Sequence, residues 1–372
     1  MFTQMTSSDV FFAHIRAQKK SENLLNKMSK LVKSSGLDRV FDRGDLVAIK
    51  LHFGEPGNTS FLRPQFAARM VDIVRKKGGK PFLTDSNTLY IGGRSNAVDH
   101  LITAARHGYC APVVDAPVVI ADGLKGNEQV EVKVSLKHCK TVKIGAAAYS
   151  ADAIIGVAHF KGHGMCGFGG SIKNIGMGFG SRTGKLDMHC DVHPTVKKEM
   201  CKGCGLCVEN CPSGAVKIGK TASINKRTCL GCGECYVCCP NKAIDPGGYV
   251  GKQVLQEKIV EYCYGVLKNK KRKSGFINFV MDVTPDCDCP PWSDKSIVAD
   301  IGILASKDIV AIDQASVDLV NREVGIDNTR LGKRVAPGTD KFDVIHGVDW
   351  RVQLSYAEEI GLGCRSYRLV EV

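Results

Sequence analysis

No run in this 372-residue chain approaches the roughly 18 consecutive apolar residues of a membrane-spanning helix, which excludes a transmembrane segment of that kind. The opening MFTQMTSSDVFFAHIRAQKK has no apolar stretch leading to a small-residue cleavage site, so secretion is not signalled and a cytoplasmic location is the expectation. Nucleotide signatures are missing too. There is no G-x-x-x-x-G-K-[ST] order, GFGGSI fits a dinucleotide fingerprint poorly, and nothing marks a flavin, haem or nicotinamide site. Acidic residues are in deficit, 38 against 51 Lys and Arg, for a formal charge of +13. The basic residues are nevertheless scattered, and only Lys268 to Lys273 (KNKKRK) forms a dense run. A solvated face explains that run better than nucleic acid, and a sensor binding nucleic acid through it is the weakest reading of function.

What the chain has in abundance is cysteine, 17 in all. Cys201-x2-Cys204-x2-Cys207-x3-Cys211-Pro212 is followed by Cys229-x2-Cys232-x2-Cys235-x3-Cys239-Pro240, the bacterial two-cluster ferredoxin run written twice. Three thiolates at i, i+3 and i+6 wrap one cubane, and the fourth ligand comes from the other run. One 4Fe-4S cluster is therefore assigned to Cys201, Cys204, Cys207 and Cys239, and a second to Cys229, Cys232, Cys235 and Cys211. Structural zinc is the competing use of four thiolates, but the crossed Cys-Pro endings argue against it. Cys238, next to Cys239, departs from the usual pattern and is read as a buried thiol. Thiolate ligands require a reducing compartment. Lys197 to Asp245 holds eight Lys and Arg against four Asp and Glu, which two oxidised clusters would bring close to neutrality. A basic surround of that kind suits an acidic redox partner of ferredoxin or flavodoxin type.

The rest of the chain alternates short β-branched runs with amphipathic helical stretches, the pattern of an α/β fold with a mostly parallel sheet flanked by helices. Leu24, Leu25, Met28, Leu31 and Val32 share a helical face. Asp45 to Phe53 reads as a strand, and Pro64 opens a helix carrying Phe66, Met70, Val71 and Val74 that Gly78-Gly79 stops. Pro81 to Thr84 reads as a strand, Ser95 to His107 as a helix and Ala153 to Ala158 as a buried strand. Residues 162–184 hold nine glycines, a density that argues for a loop packed closely against something rather than an ordinary helix. Beyond the cysteines, Gln253 to Leu267 reads as a helix, Gly275 to Met281 as a strand, and Asp308 to Asp313 as a short strand entering a helix. The pattern thus predicts one α/β domain in two parts, 1–194 and 249–372, with a small α+β two-cluster ferredoxin domain inserted at 195–248. Three domains in series is the competing arrangement.

The strings KLHFGEPGN at 50–58, DSNTLY at 85–90, HFKGHGMCGFGGSIKNIGMG at 159–178 and DCDC at 286–289 resemble the family catalogued as domain of unknown function 362. The resemblance implies an iron–sulfur cluster-binding protein, often with an inserted two-cluster ferredoxin, and names no reaction.

Open α/β sheets bind ligands beyond the carboxyl ends of their strands, and those ends are polar here. Lys50 and His52 close the first strand, with Asp85, Ser86 and Asn87 at the next. His159, Lys161 and His163 follow Ala158, Asp282 ends the strand at 277–281, and Asp313 ends the one at 309–312. His159, Lys161, His163 and Lys173 are the leading catalytic candidates because they flank the glycine-rich string. Lys50, His52, Asp85 and Asp282 rank behind them. A small, anionic substrate held by Lys161, Lys173 and backbone donors fits the set. In Asp286-Cys287-Asp288-Cys289, Cys287 and Cys289 point to one side of an extended chain and could hold a further metal ion with a rim histidine, or simply form a tight turn. His189, Cys190 and His193 precede the first cluster, where shielding, proton relay and packing are the alternatives. The expected activity is that of a ferredoxin-coupled oxidoreductase. The alternative is a non-catalytic electron-transfer subunit that docks a partner enzyme, and an enclosed polar pocket near a cluster would separate the two.

Overall fold

The computed structural model describes all residues except 1–6, 191–193, 230, 232, 247–249 and 271. His193, Cys232 and Lys271 therefore lie outside the described residues. One eight-stranded sheet organises the chain, in the order Tyr367–Glu371, Ser8–His14, Gly302–Ser306, Ser274–Val280, Ala153–His159, Leu46–Lys50, Lys80–Asp85, Val118–Ile120. Seven strands run one way and Gly302–Ser306 runs against its neighbours. The sheet is thus mostly parallel, and it takes strands from both sides of the cysteine runs.

Helices cover both faces. Leu24–Ser34 and Pro64–Lys76 pack on one, and Ser171–Phe179, Lys252–Leu267 and Ile309–Arg322 on the other. The central strand Ala153–His159 shows why it must be covered twice. Every residue in it is buried, with Ile154 in one core and Ile155 and Val157 in the opposite one, the period-two division of a pleated strand. Pro64 stands at the first helical position, where its missing N–H costs nothing.

Two expectations are corrected. The glycine-rich string is not a loop throughout: after the hairpin Lys161–His163 and Gly167–Gly169 it forms the helices Ser171–Phe179 and Arg182–His189. Tertiary packing overrides propensity here. A Cβ on Gly176 would lie 2.2 Å from the Ile259 carbonyl oxygen, so glycine lets two helix backbones touch. Asp308 to Asp313 is likewise not a strand: Asp308 caps the helix Ile309–Arg322, its carboxylate accepting from the N–H groups of Val310 and Ala311 at 2.9 and 3.0 Å. Asp313 sits inside that helix. The strands Ser8–His14, Val118–Ile120, Gly302–Ser306 and Tyr367–Glu371 complete the sheet beyond those the sequence pattern predicts.

Between Thr195 and Asp245 the chain leaves the sheet and builds a small unit. It has the antiparallel pairs Thr195–Val196 with Ile244–Asp245 and Val216–Ile218 with Ala222–Ile224, and the short helices Leu206–Glu209 and Glu234–Val237. Its two halves repeat one backbone pattern. Gly203 and Gly205 precede the first helix at φ 66° and 83°, and Gly231 and Gly233 precede the second at 65° and 73°. Those left-handed angles explain glycine at each place. The exit and return meet where Val250 N–H donates to the His189 carbonyl at 2.9 Å.

Candidate functional site

The carboxyl ends of the parallel strands share one edge, and beyond it lies a cavity of about 270 Å³. Lys50, His52, Asp85, Ser86, Lys161, His163, Lys173, Cys287 and Cys289 all line it, so residues up to 239 positions apart in sequence meet there. Four candidates stand elsewhere, the first of them Asn87, whose backbone N–H and Nδ2 donate to Asp122 Oδ1 at 2.9 and 3.0 Å. His159 lies behind the wall, with Nδ1 facing the Asp288 carboxylate at 2.9 Å and Nε2 facing the Met281 and Asp282 carbonyls at 3.1 and 3.0 Å. The Asp282 side chain pairs with Arg63 at 3.0 Å on the outside. Asp313 caps the helix Ser171–Phe179, accepting from the N–H groups of Ser171 and Ile172 at 2.7 and 2.9 Å, and burial pushes its carboxyl up to about 6.

Opposite charges hold the wall. Lys50 Nζ lies 3.0 Å from Asp85 Oδ1 and donates to Asn174 Oδ1 at 2.9 Å. Burial draws the Lys50 ammonium down, and Asp85 only partly restores it. For Asp85, burial raises the carboxyl, but Lys50, His52, His100 and Arg94 together hold it below the ordinary carboxylate range. Arg94 is clamped by Glu55 at 3.0 Å and reaches Asp85 at 3.5 Å. Breaking one partner of such a pair would strand a buried charge.

A second group of contacts aims the DCDC segment. Asp288 is fully buried between His159 and Lys161, which approaches at 3.2 Å. Cys287 and Cys289, on either side of the anchored Asp288, both line the cavity. Asn58 Nδ2 holds the following turn through the Trp292 carbonyl at 2.9 Å. The His52 ring is also oriented: its Nδ1 accepts the Gly54 N–H at 3.0 Å, which leaves Nε2 facing Cys289 Sγ at 3.5 Å. The Cys287 thiol donating to it, the largest cause, and the His52 ring lower Cys289 well below the ordinary thiol value, against burial. The same bond, with burial, raises Cys287. Burial works against the Lys173 ammonium, but the sulfurs of Cys287 and Cys289 outweigh it and raise it. Burial and the Lys173 charge drive His163 well below its usual value. Among the described residues no three His, Cys, Asp or Glu side chains converge to hold a single metal ion.

Arg94, Tyr90, Lys185 and His189 also line the cavity, and the sequence did not single them out as catalytic. Arg94 and Lys185 sit outside strand ends, so position along the sheet could not flag them; Tyr90 lies within the DSNTLY string. Burial brings Lys185 down to about 8 and His189 to about 4.

In the cysteine-rich unit, Cys201, Cys204, Cys207 and Cys239 line one hollow. Backbone N–H groups point at two of its sulfurs, Ala222 to Cys201 and Ala243 to Cys239, both at 3.3 Å. Cys238 does not line the hollow. Its thiol donates to the Leu206 carbonyl at 3.6 Å, and burial raises it to about 11. Burial also raises the Cys211 thiol, but the Ser213 hydroxyl and the N–H groups of Ser213, Val216 and Ala215 outweigh it. The second run presses on the sheet domain: a Cβ on Gly233 would lie 2.9 Å from Leu89, and Glu234 pairs with Arg182. Tyr236 shares a second, mostly apolar hollow with Leu89, Tyr90 and His189, which also line the cavity.

Fold and site together define a mostly parallel α/β protein with a cationic cavity at the carboxyl ends of its strands. The chain belongs to the family described as Domain of unknown function (DUF362), whose profile matches residues 47–318. It is 27% identical over 156 residues to a thylakoid-associated protein of Synechocystis, a match covering 41% of this chain and 43% of that protein. Among solved structures, the lactate racemase apoprotein of Thermoanaerobacterium thermosaccharolyticum is similar with a TM-score of 0.36 and 14% identity, over 75% of this chain and 52% of that one. A Thermotoga maritima protein is similar with a TM-score of 0.38 and 10% identity, over 70% and 50%. The chain thus spans about half, or less, of the length of these relatives. Among the described residues no helix is long and apolar enough to cross a membrane.

Proposed function

We propose that the chain is an iron–sulfur electron-transfer protein with two 4Fe-4S clusters in an inserted unit at 195–248. On this reading it acts as an oxidoreductase on a small anionic substrate in the cavity of the sheet domain. The observation that carries the reading is the hollow shared by Cys201, Cys204, Cys207 and Cys239, the crossed set that a two-cluster run requires. The N–H groups aimed at Cys201 and Cys239 suit thiolate ligands, as do the donors gathered on Cys211. Cys229, Cys235 and Cys211 would hold the second cluster together with Cys232, which lies outside the described residues. Bound there, the clusters would supply one-electron chemistry.

Support for catalysis over a docking subunit comes from a half-open cavity lined by many ionisable side chains and from the second run lying against its wall at Leu89. Lys161 and Lys173 would bind the anion. His163, whose Nδ1 accepts backbone N–H groups, would offer Nε2–H as a donor, while the Nε2 of His52 is turned to Cys289. The formal charge of +13 suits an acidic ferredoxin- or flavodoxin-type partner.

Anaerobic purification with metal counting and cluster spectroscopy tests the reading. About eight irons per chain with cubane spectra are expected, and a chain holding less than about one iron would overturn it. Lys173→Ala is expected to weaken binding of inorganic phosphate, followed by calorimetry, and unchanged affinity would remove the anionic substrate from the reading.

A further inference from the structure

The DCDC segment is held more firmly than a turn with two packed thiols requires. Asp288 is buried between His159 and Lys161, and a Cβ on Gly162 would lie 1.9 Å from the Pro285 carbonyl oxygen just before the segment. This bracing presents two free thiols, two residues apart in the chain, in one cavity. The His52 Nε2 faces the Cys289 sulfur at 3.5 Å, its other nitrogen engaged by Gly54. The imidazole set against Cys289 Sγ divides the pair into an activated thiolate and a partner that keeps its proton, and the Lys173 charge lies near both sulfurs.

We propose that Cys289 and Cys287 are the attacking and resolving thiols of a dithiol–disulfide couple that exchanges with small anionic disulfides in the cavity. The anionic preference rests on the reading of the cavity given above. The thiolate of Cys289 attacks one sulfur of a substrate RS–SR, forming a mixed disulfide and releasing RS⁻. Cys287 gives its proton to that thiolate and attacks the Cys289 sulfur, forming the Cys287–Cys289 bond and releasing a second RS⁻. The substrate gains two electrons, the pair loses two, and one proton moves from Cys287 to the first leaving group. Returning the pair to thiols takes two electrons and one proton, and a one-electron donor of the iron–sulfur class must supply two equivalents.

The test uses the full chain, purified anaerobically. It is exposed to 3,3′-dithiodipropionate, quenched in acid, labelled with N-ethylmaleimide in denaturant and digested with trypsin. The peptide Ser274–Lys295 carries Cys287 and Cys289 and no other cysteine. Its labels should fall from two to none with no adduct remaining. Cys287→Ser should instead trap mercaptopropionate on Cys289, and Cys289→Ser should react at least tenfold more slowly. Cystamine, of similar size and opposite charge, should react at least tenfold more slowly with the unmodified chain. A peptide that keeps both labels in the unmodified chain overturns the couple whatever the variants do. Equal rates in the two variants overturn the division of roles, and equal rates for the two disulfides overturn the anionic class. Iron counted on the same sample separates this inference from the cluster reading: eight irons with an inert peptide sinks only the dithiol, and exchange without iron sinks only the clusters.

Discussion

The cysteine-rich unit and the sheet domain are built on opposite economies of burial. The unit's core, among the described residues, is Cys207, Val216, Ala222, Cys235, Cys239, Ala243 and Ile244, so thiols make up much of what it has to bury. The sheet has two full cores, one on each face, assembled from strands and helices on both sides of the unit. On the proposed reading, a unit with so small an apolar core would draw stability from the clusters its thiols hold. The sheet needs no such help, and it can spend its stability on burying charges around a cavity.

The largest expected effect breaks this comparison directly. Stripping iron from the purified protein with a chelator under air should open the unit while leaving the sheet closed. Trypsin should then cut at the lysines between 197 and 242 roughly a hundredfold faster than in the loaded protein, because cleavage follows the population of the open form. The flanking halves should stay together, since they share one sheet. A unit equally resistant with and without iron would remove the contrast.

Within the unit, Cys239→Ser should lose about four of eight irons and Cys238→Ser none. Cys239 lines the hollow, whereas Cys238 is engaged with the Leu206 carbonyl. Equal iron contents in the two variants would sink the crossed assignment.

The sheet side is sharpened by Asp85→Asn, which removes the carboxylate between Lys50 and Arg94 and leaves both cations buried. We expect a loss of about 3–5 kcal/mol in urea unfolding of the sheet, the usual consequence of breaking a buried ion pair from one side. Iron content should be unchanged. Loss of iron in this variant would mean that the two regions do not stand independently.

Legibility in the sequence follows the same divide. Ligand spacing in the cysteine runs is local, so eight residues could be assigned roles from their numbers alone. Period-two alternation and strand ends found Lys50, His52, Asp85, Ser86, Lys161 and His163, and the glycine-rich and DCDC strings found Lys173, Cys287 and Cys289. Arg94 arrives from a segment between a strand and a helix, and no periodicity could announce its clamp on Glu55. His159 was placed at the right strand end, but whether it faces the cavity or Asp288 depends on a partner 129 residues away. The helix Ser171–Phe179 was obscured because glycine's low propensity is local, whereas the contact with Ile259 that rewards it is not.

Acidity offers a smaller, signed test. Burial raises Asp122 to about 6, against the opposing pull of Lys185, the Asn87 N–H and Arg182. The folded state therefore holds this proton more tightly than the unfolded chain. The associated stability is fully present below the ordinary value of 3.8 and is lost as pH rises through about 6. Asp122→Asn should remove a pH-dependent loss of up to about 3 kcal/mol between pH 4 and pH 7. Part of the slope should remain, because Asp313 is raised in the same direction by burial. An unaltered pH profile in the variant would show that Asp122 ionises as freely in the fold as in the open chain.

The smallest expected effect compares two glycines of one string. At Gly176 an added methyl would meet the Ile259 carbonyl oxygen at 2.2 Å and the Cys263 nitrogen at 3.2 Å, backbone atoms that cannot swing aside. At Gly164, in the turn between the hairpin strands, nothing lies within 4 Å. Alanine's better helix propensity should favour Gly176→Ala by about 1 kcal/mol if the helix stood alone. Overpacking against a neighbouring helix costs about 1–3 kcal/mol and should prevail, so the substitution is expected to destabilise. Gly164→Ala should shift the urea midpoint by less than about 0.5 kcal/mol in equivalent stability. A stabilised Gly176→Ala protein would mean that the two helices can separate freely, and that the glycines of the string serve the chain's flexibility rather than its packing.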